Sequence, residues 1–253
     1  MHTKLGITVV ATCLIGVLLS STMRSDTISG VEKIEDSRFV THISDPGRGQ
    51  MRMYWKEPQG RRYGSLGRLK KFMEAKYEEL IFATNGGRYD DHQRPLGLYV
   101  EAGRKLSPMN EDEETRNGFF IQPSGVFYLT TDLQAFVSTK EDYPDDSTVN
   151  YATQSGPMLV TDGEINSYFK RGSTNLQIRN GVGILPDGKV LFAISTEKMS
   201  YYDLARFFKN KGCLQALYLD GNDSRAYVPA EEWEQLDGRF AVIIGETSGR
   251  PLR

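Results

Sequence analysis

Alternating apolar and polar positions, broken by Gly- and Pro-rich turns, run through most of this chain and predict strands and hairpins. Short alternating stretches occur in residues 28–43 and 51–55, with a turn at Pro46-Gly47-Arg48-Gly49 between them. A 3.6-residue rhythm appears twice. The first helix opens at Ser65 and carries Leu66, Leu69, Phe72 and Met73. The second is capped by Ser200, has Asp203 in the capping-box position and is closed by Gly212. Each helix leads into an apolar strand, residues 80–83 and 214–219. Hairpins are expected at Ala102-Gly103, at Pro123-Ser124-Gly125 (residues 118–122 returning through 126–129) and at Pro186-Asp187-Gly188. Residues 132–139 read as a short helix, 141–146 as an acidic loop, 152–160 as a strand interrupted at Gly156-Pro157, and 240–244 as the last strand. Strands outnumber helices without the regular βαβ alternation of a doubly wound fold. The expected class is α+β: a single domain whose mixed, hairpin-rich sheet is covered by two main helices.

The N-terminus departs from this pattern. After a weakly basic start, residues 5–19 are uncharged and largely apolar, followed by Ser20, Ser21 and Thr22. That length suits a signal-peptide h-region better than a spanning helix, which needs about 20 residues. Residues 1–23 are read as a signal peptide, or as a signal anchor if uncleaved, and 24–253 as the functional domain. The protein is therefore expected to be exported, periplasmic or extracellular, with the membrane touched only through an uncleaved N-terminal segment. Cys13 lies inside the apolar run rather than at its end, unlike a lipid-attachment site. Removal of the segment leaves Cys213 alone, read as a small buried hydrophobe without a disulfide partner. A formal net charge of −2 argues against a nucleic-acid partner.

Two apolar strands end in Gly-rich polar turns, Asn85-Gly86-Gly87 and Asp220-Gly221-Asn222-Asp223. Glycines there let a backbone approach a ligand closely. Gly156-Pro157 after Ser155 breaks a third strand, and Arg179-Asn180-Gly181 opens a fourth. Arginine is the side chain best shaped for bidentate phosphate contact. The chain lacks an H-E-x-x-H pair, a C-x-x-C, a G-x-S-x-G elbow and a P-loop. Its three histidines include His2, which leaves with a cleaved signal, so a His-rich zinc site is not expected. Residues 220–231 begin and end with carboxylates at calcium-loop spacing, but Arg225 replaces the required Gly. No cofactor or metal is expected; Ca²⁺ loosely held by the 220–223 carboxylates remains compatible with the sequence.

In order, the chain carries Ala83-Thr84-Asn85-Gly86-Gly87-Arg88-Tyr89, Pro95-Leu96-Gly97-Leu98-Tyr99-Val100-Glu101, Asn117-Gly118-Phe119-Phe120 and Gly125-Val126-Phe127. Gln154-Ser155-Gly156-Pro157-Met158-Leu159, Arg179-Asn180-Gly181-Val182-Gly183-Ile184 and Leu217-Tyr218-Leu219-Asp220-Gly221 follow. From about residue 60 to 245 this set resembles the phosphodiester glycosidase domain. That domain is shared by bacterial exported proteins and by the enzyme that uncovers phosphodiester-capped mannose. Two departures stand out: Asn222-Asp223 where many members have Gly-Gly, and Asn180 where Thr often follows the Arg.

The resemblance implies an exported hydrolase that splits a sugar from a sugar-1-phosphodiester. If the sugar C1–O bond breaks, the leaving group is a phosphomonoester, whose second pKa near 6 reduces the need for a general acid. On this reading Asp220 is base or nucleophile and Arg179 holds the phosphate. Asn85 with the backbone of Gly86 and Gly87 holds the sugar or phosphate oxygens, and Glu101 is a second carboxylate. Ser155, Gly156, Asn180, Gly221 and Ser224 complete the substrate-binding set. Two alternatives stay open: a non-catalytic cell-envelope module that binds phosphodiester-linked glycans, and a phosphodiesterase that cuts P–O.

Overall fold

The computed structural model describes residues 36–112, 121–219 and 223–251, together with His2. The N-terminal apolar run with Cys13, the stretch 117–120, and Asp220, Gly221 and Asn222 lie outside these residues.

Along the chain, β1 (Phe39–Ser44), a tight turn at Pro46–Arg48 and β2 (Met51–Tyr54) precede helix α1 (Leu66–Glu74) and β3 (Glu78–Asn85). Two hairpins follow, β4 (Tyr99–Glu101) with β5 (Arg104–Ser107) and β6 (Gly125–Thr130) with β7 (Ala135–Thr139). Then come β8 (Val149–Ser155), β9 (Met158–Thr161) and the short β10 (Glu164–Ile165). The hairpin β11 (Asn180–Ile184) and β12 (Val190–Ser195) leads to α2 (Tyr201–Asn210) and β13 (Gln215–Tyr218). β14 (Ala226–Val228), β15 (Trp233–Glu234) and β16 (Ile243–Pro251) complete the order.

The strands form three sheets: β1-β12-β11-β13-β9-β10, β15-β14-β3-β16-β2 and β5-β4-β8-β6-β7. Every pairing among the described residues is antiparallel. The architecture is mostly β, which corrects the expected α+β class with a mixed sheet under two helices. The physical reason lies in what covers the sheets. The central core joins Met53, Phe82 and Ile244 of the second sheet to Tyr99 and Phe127 of the third and Val182, Phe192 and Leu217 of the first. No helical residue belongs to it. The sheets bury one another, as layered antiparallel sheets do.

The helices serve the flanks. Leu66, Leu69 and Met73 of α1 pack on Leu80 and Ile243 of the second sheet. Leu204, Ala205, Phe207 and Phe208 of α2 pack on Leu159, Val160 and Ala216 of the first. Both starts follow the sequence signals: Ser65 Oγ accepts from Arg68 N at 3.3 Å and Ser200 Oγ from Asp203 N at 3.2 Å. Gly212, at φ +84°, closes α2 in a left-handed conformation.

Two local expectations fail. The 132–139 segment contains strand β7 rather than a helix, since Ala135 and Val137 are buried while Phe136 points outward. β6 pairs with β7 and β8, and the expected strand at 118–122 falls largely outside the described residues. The interrupted strand at Gly156-Pro157 is two strands in different sheets, with the chain crossing from the third sheet to the first through this cis peptide.

The first sheet accepts α2 closely because β11 presents glycines toward it. A Cβ at Gly183 would sit 2.8 Å from both Phe208 Cδ1 and Cys213 Sγ. Gly183→Ala is expected to lower stability by about 1–3 kcal/mol through overpacking, read as a lower urea midpoint at unchanged m-value.

Candidate functional site

Strand ends from all three sheets meet at a buried polar network. Asn180 opens β11 and points away from α2, while Asn85 closes β3. The Asn180 amide donates to Asn85 Oδ1 at 3.0 Å and to Thr84 Oγ1 at 2.9 Å. Its carbonyl oxygen accepts from Ser224 Oγ at 3.0 Å. Asn85 Oδ1 also accepts from Arg225 N at 3.0 Å, and Thr84 Oγ1 donates to Arg225 O at 2.8 Å. All four side chains (Thr84, Asn85, Asn180 and Ser224) are buried, where an unmet polar group would be costly.

This network brackets segment 220–222. On the near side, Leu219 N donates to Asn180 O at 3.2 Å, and Ser155 Oγ donates to Leu219 O. On the far side, Ser224 and Arg225 N are held as described. Gly156 is buried beside Ser155 at the crossing between sheets. Gly86 and Gly87 are packed in: Gly86 N donates to Val242 O at 2.8 Å and Gly87 N to Thr153 Oγ1 at 3.3 Å. A Cβ at Gly87 would fall 2.0 Å from Gln154 O, so only glycine lets these two backbones touch. The role of these two glycines visible here is close packing of β3's exit, Gly86 against Val242 ahead of β16 and Gly87 against β8.

Arg179 and Glu101 are not brought to this network. Successive strand residues face opposite ways, so Arg179 points to the α2 side when Asn180 points inward. Arg179 is only 1% exposed. Its Nε donates to Met199 O at 2.8 Å, Nη1 to Tyr218 Oη at 3.2 Å, and Nη2 to Asn175 O at 3.1 Å and Oδ1 at 3.2 Å. The guanidinium lies 3.6 Å from the Tyr201 ring centre. Glu101 accepts from Tyr99 Oη at 2.7 Å at the end of β4. Burial raises its carboxyl above the usual range, opposed by that hydrogen bond and by Arg104 and Lys56. Asp220 and Gly221 lie outside the described residues. Cys213 is buried, and burial pushes its thiol up to about 12.

Thr84, Thr153 and Arg225 carry network contacts that the sequence did not single out. Simple alternation assigns Thr84 to the face opposite Asn85, and the contribution of Arg225 is its main chain, which no side-chain motif announces. The signal available was adjacency, since each stands within two residues of a flagged position.

Asn180→Ala removes the bonds donated to buried Thr84 and Asn85 and the one accepted from buried Ser224. It is expected to cost about 1–3 kcal/mol, measured by urea unfolding. Glu101 predicts a pH dependence. Its folded-state carboxyl holds a proton that the unfolded chain has already released. Its contribution is therefore most favourable at low pH and is lost as pH rises from the ordinary glutamate value through the raised folded one. Melting temperatures of Glu101→Gln across pH 4–7 should lack this decline, so the difference between variant and parent should grow toward neutral pH.

Residues 78–245 match the phosphodiester glycosidase family. The uncharacterized protein YigE of Escherichia coli K12 is 37% identical over 209 residues, covering 79% of this chain and 78% of YigE. Among solved structures, the chain is similar in fold to the catalytic domain of zebrafish N-acetylglucosamine-1-phosphodiester alpha-N-acetylglucosaminidase, solved in a form auto-inhibited by its pro-peptide. That match has a TM-score of 0.58 at 16% identity and covers 83% of each chain. A Burkholderia pseudomallei protein assigned as exported shares the fold at a TM-score of 0.51 and 10% identity, over 82% of this chain and 73% of that one. The family match spans most of the three-sheet body and both strand ends that frame segment 220–222, and the chain belongs to the phosphodiester glycosidase family.

Proposed function

We propose that this chain is a hydrolase that splits a sugar from a sugar-1-phosphodiester, with Asp220 as base or nucleophile. The observation that carries the reading is that one buried residue, Asn180, holds Leu219 through its main-chain oxygen and Ser224 through its side-chain oxygen, on either side of Asp220 in the sequence. A reactive carboxylate works only when its backbone is fixed, because misplacement by about 1 Å can cost roughly a hundredfold in rate. Asn85, Asn180 and Ser155 hold the neighbouring residues Leu219, Ser224 and Arg225, and on this reading Asp220 and Gly221 act on the substrate. C1–O cleavage releases a phosphomonoester, a leaving group good enough to need little protonation. Water supplies the hydroxyl at C1, and Asp220 takes its proton directly or after forming a glycosyl ester. The N–H groups of Arg179 already serve Met199, Tyr218 and Asn175, so the phosphate contact is not drawn through it.

Export to the periplasm or beyond is part of the same proposal. It is supported by the apolar run at residues 5–19 and by the Burkholderia protein of like fold that is assigned as exported. The Asn222-Asp223 departure favours one rival, a module that binds phosphodiester-linked glycans without turnover.

The test is sugar release from a panel of sugar-1-phosphodiesters by purified residues 24–253. Asp220→Asn should stay folded and lose about a thousandfold or more in kcat/KM. Equal release by parent and variant sinks the assignment of Asp220, and binding without release by the parent establishes the rival.

A further inference from the structure

On the α2 side of β11 an open pocket of about 520 Å³ lies against Tyr168, Phe169, Lys170, Asn175, Tyr201 and Tyr202. Its size falls within the roughly 300–1,000 Å³ of small-molecule sites. The wall is prebuilt. Phe169 stacks on Tyr201 with ring centres 5.2 Å apart and planes at 11°. The loop that carries Tyr168 and Phe169 is pinned by Asn166, whose amide donates to Gln122 O at 2.9 Å and Met158 O at 3.0 Å. Asn166 also accepts from Tyr168 N at 3.0 Å. Despite this ordered loop, Tyr168 is 65% exposed.

Behind the wall stands Arg179, buried against Tyr201 and bonded to Asn175, both of which line the pocket. Among the described residues its hydrogen-bond partners are all neutral. A buried guanidinium is weakly screened, so its field reaches the pocket it backs. Lys170 adds a second positive charge at the opening, and no lining residue is acidic. Asp203 in the first turn of α2 is taken up by Ser200 and Arg206.

We propose that this pocket binds an anionic sugar unit, such as a sugar phosphate. Tyrosine faces take the C–H face of a pyranose, Asn175 and the tyrosine hydroxyls reach its hydroxyl groups, and the Arg179–Lys170 field selects the negative charge. Arg179 acts here as a positioning residue, holding Tyr201 and Asn175 rather than touching the ligand. The inference needs no turnover and stands apart from the reading of Asp220, because its readout is binding.

The probe is glucose 6-phosphate, titrated calorimetrically into the purified chain, with glucose and inorganic phosphate as comparisons. Tyr168 and Lys170 are exposed, so Tyr168→Ala and Lys170→Ala leave the fold intact. The expected result is saturable binding of glucose 6-phosphate, with each variant weakening it by about fivefold to tenfold and both comparison ligands weaker by at least about tenfold. No saturation by glucose 6-phosphate, affinity unchanged in both variants, or equal binding of either comparison ligand overturns the proposal.

Discussion

A buried carboxamide cannot be left half satisfied, and the Asn180 side chain meets that demand by holding the first and second sheets together. Its donors reach Thr84 and Asn85 at the end of β3, and its acceptor takes Ser224 at the entry to β14. Its own main chain receives Leu219. The proposal for Asp220 joins this arrangement to the family pattern. In a low-dielectric interior such bonds are geometrically exacting, and losing one partner exposes the rest to a desolvation penalty. The same network therefore contributes to stability and holds Leu219, Ser224 and Arg225, the residues around the proposed site.

β11 does more than hold Asn180. Its period of two turns Arg179 the other way, toward Tyr201, Tyr218 and the start of α2. Gly181 and Gly183, on the Arg179 face, let Phe208 approach. One strand thus separates two polar environments, an uncharged network facing the inner core and a cationic, aromatic one facing the helix. The Arg179-Asn180 pair looked like a single motif in the sequence, yet its members work on opposite sides of the sheet.

Elements with local chemical signals were legible in the sequence. Ser65 and Ser200 marked helix starts, Pro186-Asp187-Gly188 marked a hairpin, and the family pattern survived both departures. What was not legible is which sheet a strand joins. Alternation states that one face is buried but not against what, so Ser155 and Met158 read as one strand although they belong to two sheets. The same gap produced the α+β expectation, because the helices were asked to cover faces that other sheets cover. Of the candidate site, Asn85, Ser155, Asn180 and Ser224 were marked and do share contacts through Leu219 and one another. The buried, aromatic-stacked position of Arg179 depends on Tyr201 and Tyr218, far away in sequence, and could not be read locally.

The pairing order has a consequence for synthesis. β1 pairs with β12, and both β2 and β3 pair with β16. As the chain emerges from a ribosome, β1 must wait for β12 and β2 for β16, each far along the polypeptide. Such long-range pairings slow folding and leave apolar edges open in the meantime. The nascent chain therefore cannot complete its second sheet until the residues of β16 have emerged.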